Sequence, residues 1–125
     1  MSIRYTTKID GETLFVTASG SDESIEDVEG YALGVIEACL RSGATRVLCD
    51  ETGIEYRLGT VDTYEAGKFL ASHVPRAVRI AIVCNPAFVA DARFFENVVV
   101  NRGLILRMFI DPESAGRWLM ESGWH

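Results

Sequence analysis

The residues able to react, bind metal or switch charge are few and scattered. Two histidines, His73 and His125, and three cysteines, Cys39, Cys49 and Cys84, stand apart from one another in a chain of 125 residues. No His-Glu-x-x-His or Cys-x-x-Cys spacing occurs, so no zinc ligand set is offered and no metal is expected. A Gly-x-Ser-x-Gly elbow and a Gly-x4-Gly-Lys-Ser/Thr phosphate loop are also absent, and no cofactor is expected. What remains are short polar clusters after apolar runs: Asp50-Glu51-Thr52, Cys84-Asn85 and Asp111. Asp50 and Glu51 are adjacent, and neighbours on a strand point to opposite faces, so they do not form a working carboxylate pair. Cys84 precedes a helix start, where a thiolate is stabilised, but the nearest following arginine, Arg93, is nine residues on. Cys84 therefore reads as a structural thiol. His73 sits late in a predicted helix, where it favours the dipole. No catalytic residue is assigned, and the chain is expected not to be an enzyme.

The totals narrow the partners. The formal net charge is −6, with 12 Lys and Arg spread singly along the chain. That pattern makes no phosphate-tracking stripe, so nucleic acid is not an expected partner, and an acidic surface does not favour anionic lipid. No apolar stretch approaches the ~20 residues that span a bilayer, so no membrane insertion is expected. Met1–Asp10 carries no apolar signal core. An odd number of isolated cysteines in apolar runs suits reduced, buried thiols and a cytoplasmic location. The length suits one domain over residues 1–125.

The elements that must position these groups follow from periodicity. Ile3–Ser19 reads as two strands joined at Asp10-Gly11, a hairpin signal in which both central turn positions take φ > 0. Ile25, Val28, Ala32, Val35, Ile36, Cys39 and Leu40 recur at helical spacing, with N-caps offered in Ser21–Ser24 and a left-handed stop at Gly43. Arg46–Asp50 is a short strand, and Glu51–Gly59 a loop. Thr60 opens a second helix that Pro75 ends. Val78–Cys84 is an apolar strand, Asn85-Pro86 a cap and first helical position, and the third helix runs to about Arg102. Its apolar residues nearly encircle it, which predicts thorough burial. Leu104–Ile110 is the last strand, and a short final helix buries Ala115, Trp118 and Leu119. The order β-β-α-β-α-β-α-β-α implies an α/β domain with parallel pairing across right-handed crossovers.

At Val47–Val61 the sequence reads VLCDETGIEYRLGTV. Asp50, Thr52, Gly53, Ile54, Glu55 and Tyr56 resemble, without a gap, the signature of the STAS superfamily, the domains named after sulfate transporters and anti-sigma-factor antagonists. The run from Phe109 to Leu119, with its Asp111-Pro112 and Ala115-x-x-Trp118-Leu119, resembles the ending of the SpoIIAA-like branch that groups STAS with SEC14-type domains. The resemblance implies a SpoIIAA-like fold: an N-terminal hairpin, then βα units, in a mixed five-strand sheet with helices mainly on one face. Strands laid side by side in chain order never reverse, so the crevice of a doubly wound sheet is not expected. In the same register the family's Asp-Ser, whose serine is phosphorylated, falls on Leu58-Gly59, and neither accepts phosphate. Thr60 stands one place on. It reads either as a helix N-cap, the preferred reading, or as a displaced phosphorylation site.

The resemblance implies a non-catalytic bacterial regulatory module that binds a protein partner through Glu51, Thr52, Tyr56, Arg57 and Thr60. The alternative is a carrier of a small apolar or lipid-like ligand held between helices and sheet, suggested by the SEC14-type likeness and by the Phe and Met of the third helix and last strand. A homodimer is also considered, because Val78–Cys84 and Leu104–Ile110 are apolar on both faces. Trp124, beyond the last helix, is a further interface candidate.

Overall fold

The computed structural model describes residues 3–121. Strands β1 (Ile3–Asp10) and β2 (Thr13–Asp22) form an antiparallel hairpin. Helix α1 (Ile25–Ser42), strand β3 (Arg46–Tyr56), helix α2 (Thr60–His73), strand β4 (Arg79–Cys84), a 3-10 turn at Pro86–Phe88, helix α3 (Val89–Asn101), strand β5 (Ile105–Phe109) and helix α4 (Pro112–Met120) follow. The sheet order is β1-β2-β3-β4-β5, and every pair after the hairpin is parallel. The expected mixed five-strand α/β sheet is observed, in unreversed order.

Local chemistry explains most boundaries. The Ser24 side chain accepts from the Asp27 N–H at the start of α1, and Gly43 closes that helix at φ 73°. Asp111 accepts from the Ser114 N–H and Pro112 takes the first turn of α4, as its cap-then-Pro sequence predicts. Val74, extended before Pro75, ends α2. The hairpin differs in detail from expectation. Asp10 pairs with Thr13, so Gly11-Glu12 is the loop, and only Gly11 has positive φ, 61°. Glycine at the first central position matches the II′ class rather than I′.

Three further expectations are corrected. Strand β3 does not stop at Asp50. It continues to Tyr56 beside a β2 that reaches Asp22, with a register shift between Thr17 and Ser19. The predicted loop Glu51–Gly59 thus shrinks to residues 57–59, because the lengthened β2 supplies backbone partners. Thr60 is not the N-cap: Gly59 is, with no side-chain cap, and Thr60 is the first helical residue. Helix α3 is less buried than its composition suggests. Ala92, Val98 and Val99 face inward, while Val89, Phe94 and Val100 are exposed, because only one side of α3 meets the body of the protein.

The larger core lies between one sheet face and α1–α3. It is built from alternate residues of the strands, among them Leu14, Val16, Val47, Cys49, Ile80 and Ile82. Helix α4 crosses to the other face, where Ala115 and Leu119 pack on Ala81 and Val83, flanked by Leu48, Phe109 and Trp118. Arg46 Nε and Arg79 Nη1 donate to the Leu119 carbonyl at 3.1 and 3.0 Å, satisfying the end of α4. The second face of β4, part of what motivated a second copy, is therefore covered by the chain's own last helix, while that of β5 presents the exposed Arg107 between the half-buried Ile105 and Phe109. Trp124 lies outside the described residues.

Helix α2 approaches α3 through Gly67, where a Cβ would stand 2.6 Å from Val98 Cγ1 and 3.1 Å from Val98 Cβ. Valine in a helix has one strongly preferred rotamer and cannot turn aside. Gly67→Ala is expected to lower stability by about 1 kcal/mol or more through overpacking, although glycine to alanine on an exposed helix face stabilises by about 1 kcal/mol. Urea denaturation of the two proteins checks the sign.

Candidate functional site

Helix α1 packs over β1 and β2, and α3 over β5, while α2 spans between α1 and α3 and packs mainly on them. The residues that α2 buries are the small Ala66 and Gly67. They do not fill the space above the central strands, and a cavity of about 130 Å³ remains there. Val47, Cys49, Ile80 and Ile82 form its floor, and Val35, Leu70 and Phe95 stand among its walls. An unreversed sheet thus still holds a cavity, placed under a helix rather than at a switch point.

One end of the cavity is polar, and Glu51 is its centre. Val47, Cys49 and Glu51 alternate along β3, so Glu51 shares their inward face, and it is only 7% exposed. Its Oε2 accepts from the Tyr31 hydroxyl at 2.9 Å and its Oε1 from the Tyr56 hydroxyl at 2.6 Å. Burial raises the Glu51 carboxyl above the ordinary glutamate range, against the two tyrosine bonds that favour its charged form, and the charges of Asp22 and Asp50 raise it further. Burial and the Glu51 charge push both tyrosines well above the usual phenol range. The Cys49 thiol is pushed up for the same two reasons. Asp22, also 7% exposed, accepts from the backbone N–H groups of Arg57 and Leu58. Burial still outweighs these bonds and raises it.

The proposed contact residues divide into two groups. Glu51 is buried, so it cannot touch a partner, and Tyr56 is half-buried with its hydroxyl turned to Glu51. Thr52, Arg57 and Thr60 are exposed. Thr52 donates its N–H and hydroxyl to Asp50 Oδ1 at 3.1 and 2.7 Å, which turns Asp50 away from Glu51 as adjacency on a strand predicts. Arg57 bonds to Glu55 and pairs with Glu23 at 3.8 Å. Val61, 72% exposed, and Tyr64 join this surface from the first turns of α2. Cys84 is fully buried with its thiol raised by burial, the opposite of an activated nucleophile. Asn85 and Asp111 act as caps. Among the described residues no group of three or more His, Cys, Asp and Glu is placed to hold a metal ion, and no helix is long and apolar enough to cross a membrane.

Tyr31 and Asp22 were not singled out in the sequence. Tyr31 follows Val28 by three residues and precedes Val35 by four, so helical spacing places it on the inward face. Asp22 had no such signal, since its role depends on the lengthened β2.

The raised Glu51 carboxyl has a consequence for stability. Below about pH 4.5 the group is protonated folded or unfolded and adds no pH dependence. As pH rises, the unfolded chain releases this proton first, so the folded state loses stability until pH passes the raised folded value. Asp22 acts in the same direction from a lower starting point. Glu51→Gln removes the Glu51 part. Its stability relative to wild type is expected to improve as pH rises above about 4.5 and to level off once pH passes the raised folded-state value, as measured by urea denaturation over a pH series.

No protein-family model matches this sequence, and no curated protein does. Solved structures do. An anti-sigma factor antagonist from Mycobacterium paratuberculosis is similar with a TM-score of 0.65 and 13% identity, over 96% of each chain. An uncharacterised Shewanella loihica protein with a SpoIIAA-like fold is similar with a TM-score of 0.52 and 17% identity, over 94% of each chain. With the unreversed sheet, the leading hairpin and these two likenesses in hand, the chain has the SpoIIAA-like fold.

Proposed function

We propose that the chain is a non-catalytic regulatory module that binds a protein partner through the junction of β3 and α2. The observation that carries this reading is the surface made there by Thr52, Arg57, Thr60, Val61 and Tyr64. Val61, an apolar side chain left 72% exposed next to Thr60 in the first turn of α2, together with the exposed Thr52 and Arg57 at the end of β3, gives the junction the mixed character of a contact surface. The fold shared with an anti-sigma factor antagonist supports the same reading. Glu51 and Tyr56 support the surface from behind rather than forming it. Thr60 is the candidate modification site. It is exposed in the first turn of α2, after an N-cap that offers no side-chain acceptor, where a phosphate would meet unpaired N–H groups.

A photo-crosslinking residue at position 61, installed in the native host, is expected to capture one discrete protein. The same probe at position 117, exposed on α4, is expected not to. Thr52→Ala with Arg57→Ala is expected to reduce the capture. Equal labelling from both positions, or capture indifferent to these substitutions, contradicts the reading. Intact-mass analysis of the same protein with peptide fragmentation reports whether Thr60 carries phosphate.

A further inference from the structure

The cavity beneath α2 has a chemical polarity that a partner surface does not explain. Its volume, about 130 Å³, is close to the ~150 Å³ of an apolar void that admits a benzene-sized guest. Its polar end carries three carboxylates, those of Glu51, Asp22 and Asp91, and among the described residues no Lys, Arg or His lines it. Asp91 is exposed, so this end is also where solvent approaches.

The hydroxyl protons at that end are already committed. Tyr31 and Tyr56 donate to Glu51, and Thr63 donates to the Gly59 carbonyl. Each Glu51 oxygen receives one tyrosine bond, while an ionised carboxylate offers about four acceptor sites. Glu51 lines the cavity and so brings unused acceptor capacity to a mostly apolar space, in a group almost removed from water. A guest must bring donors, and the carboxylates favour one that brings positive charge. A fatty acid or a phosphate would add like charge with no cation to offset it. An alcohol supplies a single donor and no charge. An ammonium group supplies three donors and a charge of the right sign.

We propose that this cavity binds a small apolar primary amine, with a ring or short chain about the size of benzylamine and its ammonium seated against Glu51 at the polar end. The site is separate from the β3–α2 surface and stands or falls independently of it. It also selects among ligand classes: an acyl carboxylate is the wrong head for this cavity.

Three probes of equal body test the proposal on the full chain: benzylamine, benzyl alcohol and benzoate. Calorimetry and thermal denaturation are expected to show benzylamine binding and raising the melting temperature, benzyl alcohol binding more weakly, and benzoate not binding. Glu51→Gln is expected to weaken benzylamine by about thirtyfold or more, the effect of removing one partner of a buried charge pair. Ala66→Leu, which fills the cavity from α2, is expected to abolish binding and separates the cavity from the acidic surface. Benzoate binding as well as benzylamine, no response of wild type to millimolar benzylamine, or an unchanged affinity in Ala66→Leu would overturn the proposal. If Glu51→Gln does not fold, the three-probe comparison on wild type still decides.

Discussion

The hydrogen-bonded group Tyr31–Glu51–Tyr56 is the interaction on which the arrangement of this domain turns. A carboxylate in an apolar interior is tolerated only when its oxygens are hydrogen-bonded. Here one donor comes from α1 and the other from the end of β3 itself. Meeting that requirement fixes the rotation of α1 over the sheet and holds the continuation of β3 against β2. Removing one tyrosine hydroxyl would leave a buried acceptor short of a partner, which typically costs about 1–3 kcal/mol. The polar group is therefore a constraint on register as well as a chemical feature.

The same constraint separates an inner from an outer chemistry at one end of the sheet. Alternation along β3 sends Cys49 and Glu51 inward and leaves Thr52 in solvent; beyond the register irregularity between β2 and β3 the parity changes, so Ile54 is buried while Glu55 and Arg57 are exposed. A single stretch of chain thus shapes the polar end of a cavity with one set of side chains and an exposed surface with the other. Asp22 ties the two together by accepting from the backbone of residues 57 and 58, just before α2 begins.

Much of this was legible in the sequence, and the rest failed for identifiable reasons. The caps at Ser24, Gly43 and Asp111 use local side-chain or backbone chemistry, which sequence carries directly. The family-like run from Asp50 to Tyr56 pointed to the right segment. Its reading as a loop failed because strand continuation there depends on pairing with a β2 that also runs longer than its apolar pattern. Non-local pairing leaves little local trace. Glu51 as an inward residue was available from alternation with Val47 and Cys49, but only once β3 is known to continue. The exposed Phe94 and Val100 show the opposite error, since composition around a helix does not say how many of its sides meet other elements. The cavity left no pattern of its own beyond the small Ala66 and Gly67.

The central claim is that Glu51 is a buried carboxyl facing an apolar cavity, held between two tyrosine donors. A carbon-detected NMR titration of the Glu51 side-chain carboxyl tests it most directly. A midpoint higher than the ordinary glutamate value of about 4.5 is expected, because burial outweighs the two hydrogen bonds. A midpoint at or below that value would place Glu51 in contact with water or with a cation, and would contradict the account.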